Sequence, residues 1–203
     1  GNDSSSKDEL YQGLINLGIN NLLIPEDNGG LGLDLLFAVA ISQSLGAGIA
    51  TLPFIGPYVM APIAIKHAAN EMQKNTLFEG MVNNSINFSI GFSEYFGSRD
   101  SSGLTFSQNK VSGKTLFVLD GDYASHVMLC NKDGQIGVVS LDSVGVETIN
   151  LTTVDKTRMY QEMNFDNTPI EILENSLTSS NAIELSIDAG RIIAAADSIG
   201  ASQ

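Results

Sequence analysis

The sequence predicts an α+β chain in three consecutive parts. An all-helical N-terminal domain covers residues 1–84, a β-barrel or sandwich domain covers 85–174, and the first helix of a C-terminal helical bundle covers 175–203. Three observations predict this. Apolar residues recur at helical spacing up to Met81, at a spacing of two from Ile86 to about Pro169, and at helical spacing again after Ser179. Turn chemistry at Ser101-Ser102-Gly103, Asp120-Gly121, Asp133-Gly134 and Asp142-Ser143 punctuates the middle part at the short intervals of a strand-rich fold. At 203 residues, 43% of them hydrophobic, the chain can bury a core of that extent.

The first helix is expected over about 6–18. Serines and Lys7-Asp8-Glu9 supply a cap and an acidic first turn, Leu10, Leu14, Ile15 and Leu17 recur at helical spacing, and Gly18 stops it. Pro25 with Gly29, Gly30 and Gly32 then excludes regular structure. Asp34 caps a second helix that Gly46 ends; apolar on nearly every side from Leu35 to Ile41, it is expected to be buried in a bundle. A third helix is expected over 58–69, and a fourth over 71–79 with Gly80 closing it. Strands are expected at 86–92, 110–119, 125–131, 135–141, 144–149 and 158–165. Ser179, Ser180 or Asn181 caps a last helix that runs to about Ser202. Its large apolar residues, Ile183, Leu185, Ile187, Ile192, Ile193 and Ile199, occupy more than one face. One face packs on the rest of the chain; the other is left for an interface, most simply a two-fold dimer.

Composition narrows the function classes. A net charge of −13 argues against nucleic acid and against an anionic membrane surface as partners. No apolar run reaches the length of a membrane-spanning helix, and the polar start is not a signal peptide. The single cysteine, Cys130, excludes an internal disulfide and fits a reducing, cytoplasmic setting; in its apolar run it reads as a buried thiol. His67 and His126 have no ligand partners at metal spacing, so no metal site is expected. Gly1 in place of Met, and a helix still running at the last residues, read as a trimmed chain.

The stretch from 86 to 121 carries the candidate site. Ile86, Phe88, Ile90 and Phe92 alternate as a strand with one buried face, which empties into Gly97-Ser98-Arg99-Asp100, where bare backbone N–H groups can meet an anion. The chain returns through Lys110 to Leu119 with a large aromatic at Phe117. Strand ends beside a small-residue loop can hold a flat, phosphate-bearing cofactor; an ordinary hairpin with a polar turn is the other reading of the same residues.

At these residues the sequence resembles the acyl-CoA dehydrogenase family. Leu17-Gly18-Ile19, then Leu23-Ile24-Pro25-Glu26-Asp27-Asn28-Gly29-Gly30-Leu31-Gly32, is similar to the family's "LGL…PEEYGGLGL" turn between two N-terminal helices. Glu71-Met72-Gln73-Lys74 with Leu77 and Gly80 resembles its "EEQK…L…G" helix, and Gly113-Lys114-Thr115-Leu116-Phe117-Val118-Leu119-Asp120-Gly121 its "GEKxWITNG" strand. Arg158, with Asn164-Phe165-Asp166 and Pro169, resembles the strand leaving the β domain, and residues 182–200 the first helix of the C-terminal bundle.

The resemblance implies an FAD-dependent oxidoreductase that desaturates an acyl-CoA thioester in fatty acid metabolism and passes its electrons to a carrier flavoprotein. It implies flavin contacts at Phe92, Ser93, Gly97, Ser98, Phe117, Val118 and Leu119, with Ser98 also meeting substrate. The family's catalytic glutamate lies in the C-terminal bundle and matches no residue here, so the 203-residue chain is expected to be inactive alone. The flavin motif departs from the family's pattern. Tyr95 stands for Pro, Arg99 intrudes before Asp100, Phe117 replaces Trp, and Leu119 replaces a Thr whose hydroxyl would reach flavin N5. Weak FAD binding is therefore expected. A second reading stays open: a flavin-poor, non-catalytic partner of the same fold in a hetero-oligomer. In either reading the chain is expected to form a homo- or hetero-oligomer.

Overall fold

Capping chemistry and one glycine turn organise the first half of the chain. The computed structural model describes residues 3–97, 102–121, 123–154, 158–178 and 181–203. Helix α1 spans Asp3–Asn16, and Gly18, with φ 77°, turns the chain out of it. The Pro25–Gly32 turn then folds back on the residues before it. The N–H groups of Leu31, Gly32 and Leu33 donate to the carbonyls of Asn21, Ile24 and Leu22 at 2.8–3.0 Å. A Cβ at Gly30 would overlap the Ile24 carbonyl, so this close return admits glycine alone.

Asp34 caps α2 (Leu35–Ala47), its carboxylate accepting from the Leu36 N–H at 3.0 Å. A single π turn, Gly56–Met60, leads into α3 (Ala61–Ala68). Asn70 and Gln73 form a capping box at the start of α4 (Glu71–Val82). After the strands, α5 (Ala182–Ala201) crosses α2.

Among the described residues eight strands follow α4: β1 (Phe88–Gly91), β2 (Gly103–Ser107), β3 (Lys110–Leu119), β4 (His126–Cys130), β5 (Ile136–Ser140), β6 (Val146–Leu151), β7 (Tyr160–Pro169) and β8 (Glu171–Ile172). They form one mixed sheet in the order β6-β7-β3-β1-β4-β5-β8, with β2 paired to β3. Strands β1 and β4 run parallel, and the other pairs among the described strands are antiparallel. β7 lies along the whole of β3, while β2 and then β1 share the other edge. The β2–β3 hairpin turns on Gln108 and Asn109, both at positive φ, the geometry that matches strand twist.

Several expectations are corrected. The sheet is not closed, so it is not a barrel; it curls far enough for Val111, Met163 and Phe165 on one side to meet Val127, Leu129 and Val139 on the other. That inner cluster explains why β1 is buried on both faces and not on one. Phe88 and Ile90 face the helices, whereas Gly91 faces Leu129 and Val118. Strands β2 and β8 were not foreseen. Gly46 and Gly80 sit inside their helices and end neither, because each is a contact point. A side chain on Gly46 would overlap the Asp197 carbonyl, and Ile86 presses on Gly80. Helix α2 is not buried all round. Its buried residues are Ala38, Ser42 and Gly46, a small-residue ridge against α5, while Leu36 and Phe37 are exposed. Asn181 precedes α5 in a left-handed conformation and makes no side-chain cap; Ser179 and Ser180 lie outside the described residues.

Helix α5 divides its large residues as expected. Ile183, Ile187 and Ile193 are buried, and Leu185, Ile192 and Ile199 form an exposed stripe at seven-residue intervals. Cys130 is fully buried, and burial pushes its thiol up to about 12, so it stays protonated and unreactive in the folded chain. Burial also lowers the pKa of His126. Among the described residues no His/Cys/Asp/Glu cluster could hold a metal, and no helix is long and apolar enough to cross a membrane.

Candidate functional site

Strand β1 ends at Gly91, and the chain then tightens into one 3-10 turn, Ser93–Phe96, instead of running straight into a loop. The Tyr95 and Gly97 N–H groups donate to the Phe92 and Glu94 carbonyls at 3.2 and 3.3 Å. The turn is tied outward as well: the Tyr95 hydroxyl donates to Glu184 Oε1 on α5 at 3.1 Å.

Opposite this turn, β3 is irregular. Its register against β7 shifts between Thr115 and Val118, and Phe117 sits at the shift with φ 57°. A bulky aromatic in the left-handed region is strained and is held there only by its surroundings. Ser93 supplies the hold. Its hydroxyl donates to the Leu116 carbonyl at 2.7 Å and lies 3.3 Å from the hydroxyl of the fully buried Thr115. The Phe117 ring is 40% exposed and meets Tyr160 edge-on, with centroids 6.3 Å apart.

Phe117 stands between two cavities. The larger, about 380 Å³, lies between this sheet edge and α5; Phe92, Phe117 and Leu119 form one wall, and Ile187, Gly190 and Ala194 the other. The smaller, about 350 Å³, is lined by Ser93, Glu94, Phe96, Gly97 and Phe117, among others. Gly190 brings α5 close: a Cβ there would lie 2.7 Å from Met60 Sδ.

The structure thus brings together Phe92, Ser93, Gly97, Phe117 and Leu119. It does not include Val118, which lines neither cavity and is fully buried in the inner cluster behind the strand. Ser98, Arg99 and Asp100 lie outside the described residues. Sequence reasoning missed the far wall of the larger cavity and the side groups Arg158 and Tyr160. The small residues of α5 were the available signal, since Gly190 and Ala194 recur at helical spacing and open space between helix and sheet.

The walls suit the flat, apolar part of a flavin ring. The hydrogen-bonding groups suit its polar edge less well, because the Ser93 hydroxyl already donates to Leu116 and Leu119 offers no donor.

Comparison with known proteins bears on the whole chain. Residues 2–85 match the family described as acyl-CoA dehydrogenase, N-terminal domain. A comparison with curated proteins finds no significant match. Among solved structures, butyryl-CoA dehydrogenase from Megasphaera elsdenii aligns with a TM-score of 0.78 at 19% identity, over 95% of this chain and 57% of that one. An acyl-CoA dehydrogenase from Geobacillus kaustophilus aligns with a TM-score of 0.77 at 17% identity, over 93% of this chain and 56% of that one. A glutaryl-coenzyme A dehydrogenase in complex with glutaryl-CoA gives 0.77 at 17% identity, over 94% and 54%. The chain spans a little over half the length of these structures.

Proposed function

This chain has the acyl-CoA dehydrogenase fold and, over residues 2–85, matches that family's N-terminal domain; from that premise we propose that it is a flavin-dependent oxidoreductase of acyl-CoA dehydrogenase type. The observation that carries the reading is Phe117, held in a strained conformation between two cavities by Ser93. In this reading the substrate is an acyl-CoA thioester and the electron acceptor a carrier flavoprotein. FAD, when bound, supplies the acceptor for hydride. Phe92, Phe117 and Leu119 hold the ring's apolar face and exclude water, and Gly97 lines the smaller cavity beside the turn. No carboxylate lines the larger cavity among the described residues, so proton abstraction is assigned to none of them.

A second reading, a flavin-poor partner subunit, is favoured by the committed Ser93 hydroxyl and by Leu119. One titration separates the two. FAD is expected to bind the native chain, with the visible flavin spectrum shifting on binding, and Phe117→Ala to weaken binding at least about tenfold through loss of the aromatic wall. Leu119→Thr, which adds a hydroxyl, is expected to strengthen it about two- to tenfold. FAD binding indifferent to both changes would place the flavin elsewhere; no binding at any concentration would leave the partner-subunit reading standing.

Self-association belongs to either reading. The exposed stripe of Leu185, Ile192 and Ile199 is the surface we assign to it, most simply as a two-fold dimer. Sedimentation is expected to show an associated native chain and a dissociated Ile192→Glu variant. A monomeric native chain at tens of micromolar would refute the assignment.

A further inference from the structure

Charge is distributed unevenly around the larger cavity. The chain carries 23 acidic residues against 10 lysines and arginines, and only three of the ten are arginine. Two of those three, Arg158 and Arg191, line this cavity, and no aspartate or glutamate does so among the described residues. The remaining walls are mostly apolar. Such a site favours a ligand that is apolar along its length and negative at one end.

The two arginines are not equivalent. Arg191 is 64% exposed, pairs with Asp188 on its own helix at 2.8 Å, and lies over the Phe96 ring at 5.2 Å. Arg158 is only 19% exposed and pairs with Asp197 of α5 at 2.7 Å. That pair bridges sheet and helix and fixes the direction of the guanidinium. It engages one N–H of a group that carries five, and Asp197 is not part of the cavity wall. A guanidinium is weakly hydrated and matches the two oxygens of a carboxylate, so a partly buried arginine beside an apolar slot suits that end group.

We propose that this cavity binds a short apolar chain ending in a carboxylate, with the carboxylate on Arg158 and the chain between Phe92, Leu119 and α5. The proposal does not rest on the flavin reading: Phe92 and Leu119 serve either ligand, so octanoate and FAD are expected to exclude one another from this cavity. Its test is read on the full chain without added FAD.

Isothermal titration with octanoate, octan-1-ol and octylamine separates the charged end from the shared chain. Octanoate is expected to bind at least about tenfold more tightly than octan-1-ol, as a charge-assisted hydrogen bond implies, and octylamine the least tightly. Arg158→Gln is expected to remove the preference for octanoate. Arg191→Gln is expected to change it less than about twofold, because that side chain is mostly solvated. The proposal is overturned if octan-1-ol binds as well as octanoate, if neither binds, or if the preference survives Arg158→Gln. Should Arg158→Gln fail to fold, Arg158→Lys takes its place: it loses the two-pronged fit to a carboxylate, and an octanoate preference that it leaves undiminished overturns the proposal equally.

Discussion

A valine at Gly46 is expected to lower the thermal midpoint of the chain by roughly 6–12 °C, corresponding to about 3 kcal/mol for overpacking in a protein of this size. The obstacle is backbone and cannot swing aside. Helix α2 presents Ala38, Ser42 and Gly46 to α5, and at Gly46 an added Cβ would overlap the Asp197 carbonyl. The contact is reciprocal: a Cβ at Gly200 would overlap the Gln43 carbonyl. Between them the Ser42 hydroxyl donates to the Ile193 carbonyl at 3.0 Å, a bond that separated helices would lose. The effect should reach the site, because Asp197 also holds Arg158. Gly13→Ala provides a contrast of opposite sign. Gly13 is exposed in α1 with nothing within 4 Å of the added methyl, and alanine there should stabilise by about 0.5–1 kcal/mol. Differential scanning calorimetry of the three chains checks both signs. A Gly46→Val midpoint equal to the native one would mean that the helix crossing has slack that the geometry does not show.

Gln73→Leu should cost about 3 kcal/mol, and it should act first on the segment after β7. Gln73 is 6% exposed and uses both ends of its amide. Its oxygen accepts from the N–H groups of Asn70 and Glu174 at 3.2 and 3.1 Å. Its nitrogen donates to the Ile172 carbonyl at 2.8 Å and to Glu171 Oε1 at 3.0 Å. Leucine fills the space but leaves the Glu174 N–H and the Ile172 carbonyl without this partner. Gln73→Glu keeps the oxygen but loses the donor and sets a second carboxylate against Glu171. Hydrogen exchange decides the mechanism: the Glu174 N–H should exchange faster in Gln73→Leu than the N–H groups of β4, which lie elsewhere in the sheet. Uniform acceleration across the chain would mean that Gln73 contributes to general stability without joining α4 to β8 in particular.

The same residue shows what the sequence could disclose. As part of Glu71-Met72-Gln73-Lys74 it was legible as belonging to a helix over 71–79, while the capping box it forms with Asn70 was not foreseen. That its amide also receives a segment 98 to 101 positions later follows from packing, and no local pattern encodes it. The helices and the longer strands were readable from period, and the Pro25–Gly32 turn from its glycines. The faces of those elements were less readable. Helix α2 looked wholly apolar, yet it buries its smallest residues, because a close helix crossing selects for what is missing from the side chain. In β1, Ser89 and Gly91 looked like a solvent face, yet both are buried, because a curled sheet has a second interior. At the candidate site, Phe92, Ser93, Phe117 and Leu119 were legible from motif order. The left-handed backbone at Phe117 was not, since aromatic residues rarely adopt it. The Arg158 pairing was not legible either, because its partner lies on a different element.

The seating of α5 on α2 also has a temporal side. Ser42 and the carbonyl it reaches are 151 positions apart, and Ser186 donates to the Met60 carbonyl across 126. A ribosome adding about 5–20 residues per second leaves roughly 8–30 s between the emergence of Ser42 and that of Ile193. Throughout that interval the ridge of Ala38, Ser42 and Gly46 has been made and its lid has not. The nascent first helices therefore carry an open, apolar seat that local contacts cannot close. The α2–α5 layer cannot close until α5 has emerged, and the high sequence separation of these contacts makes its closure slow.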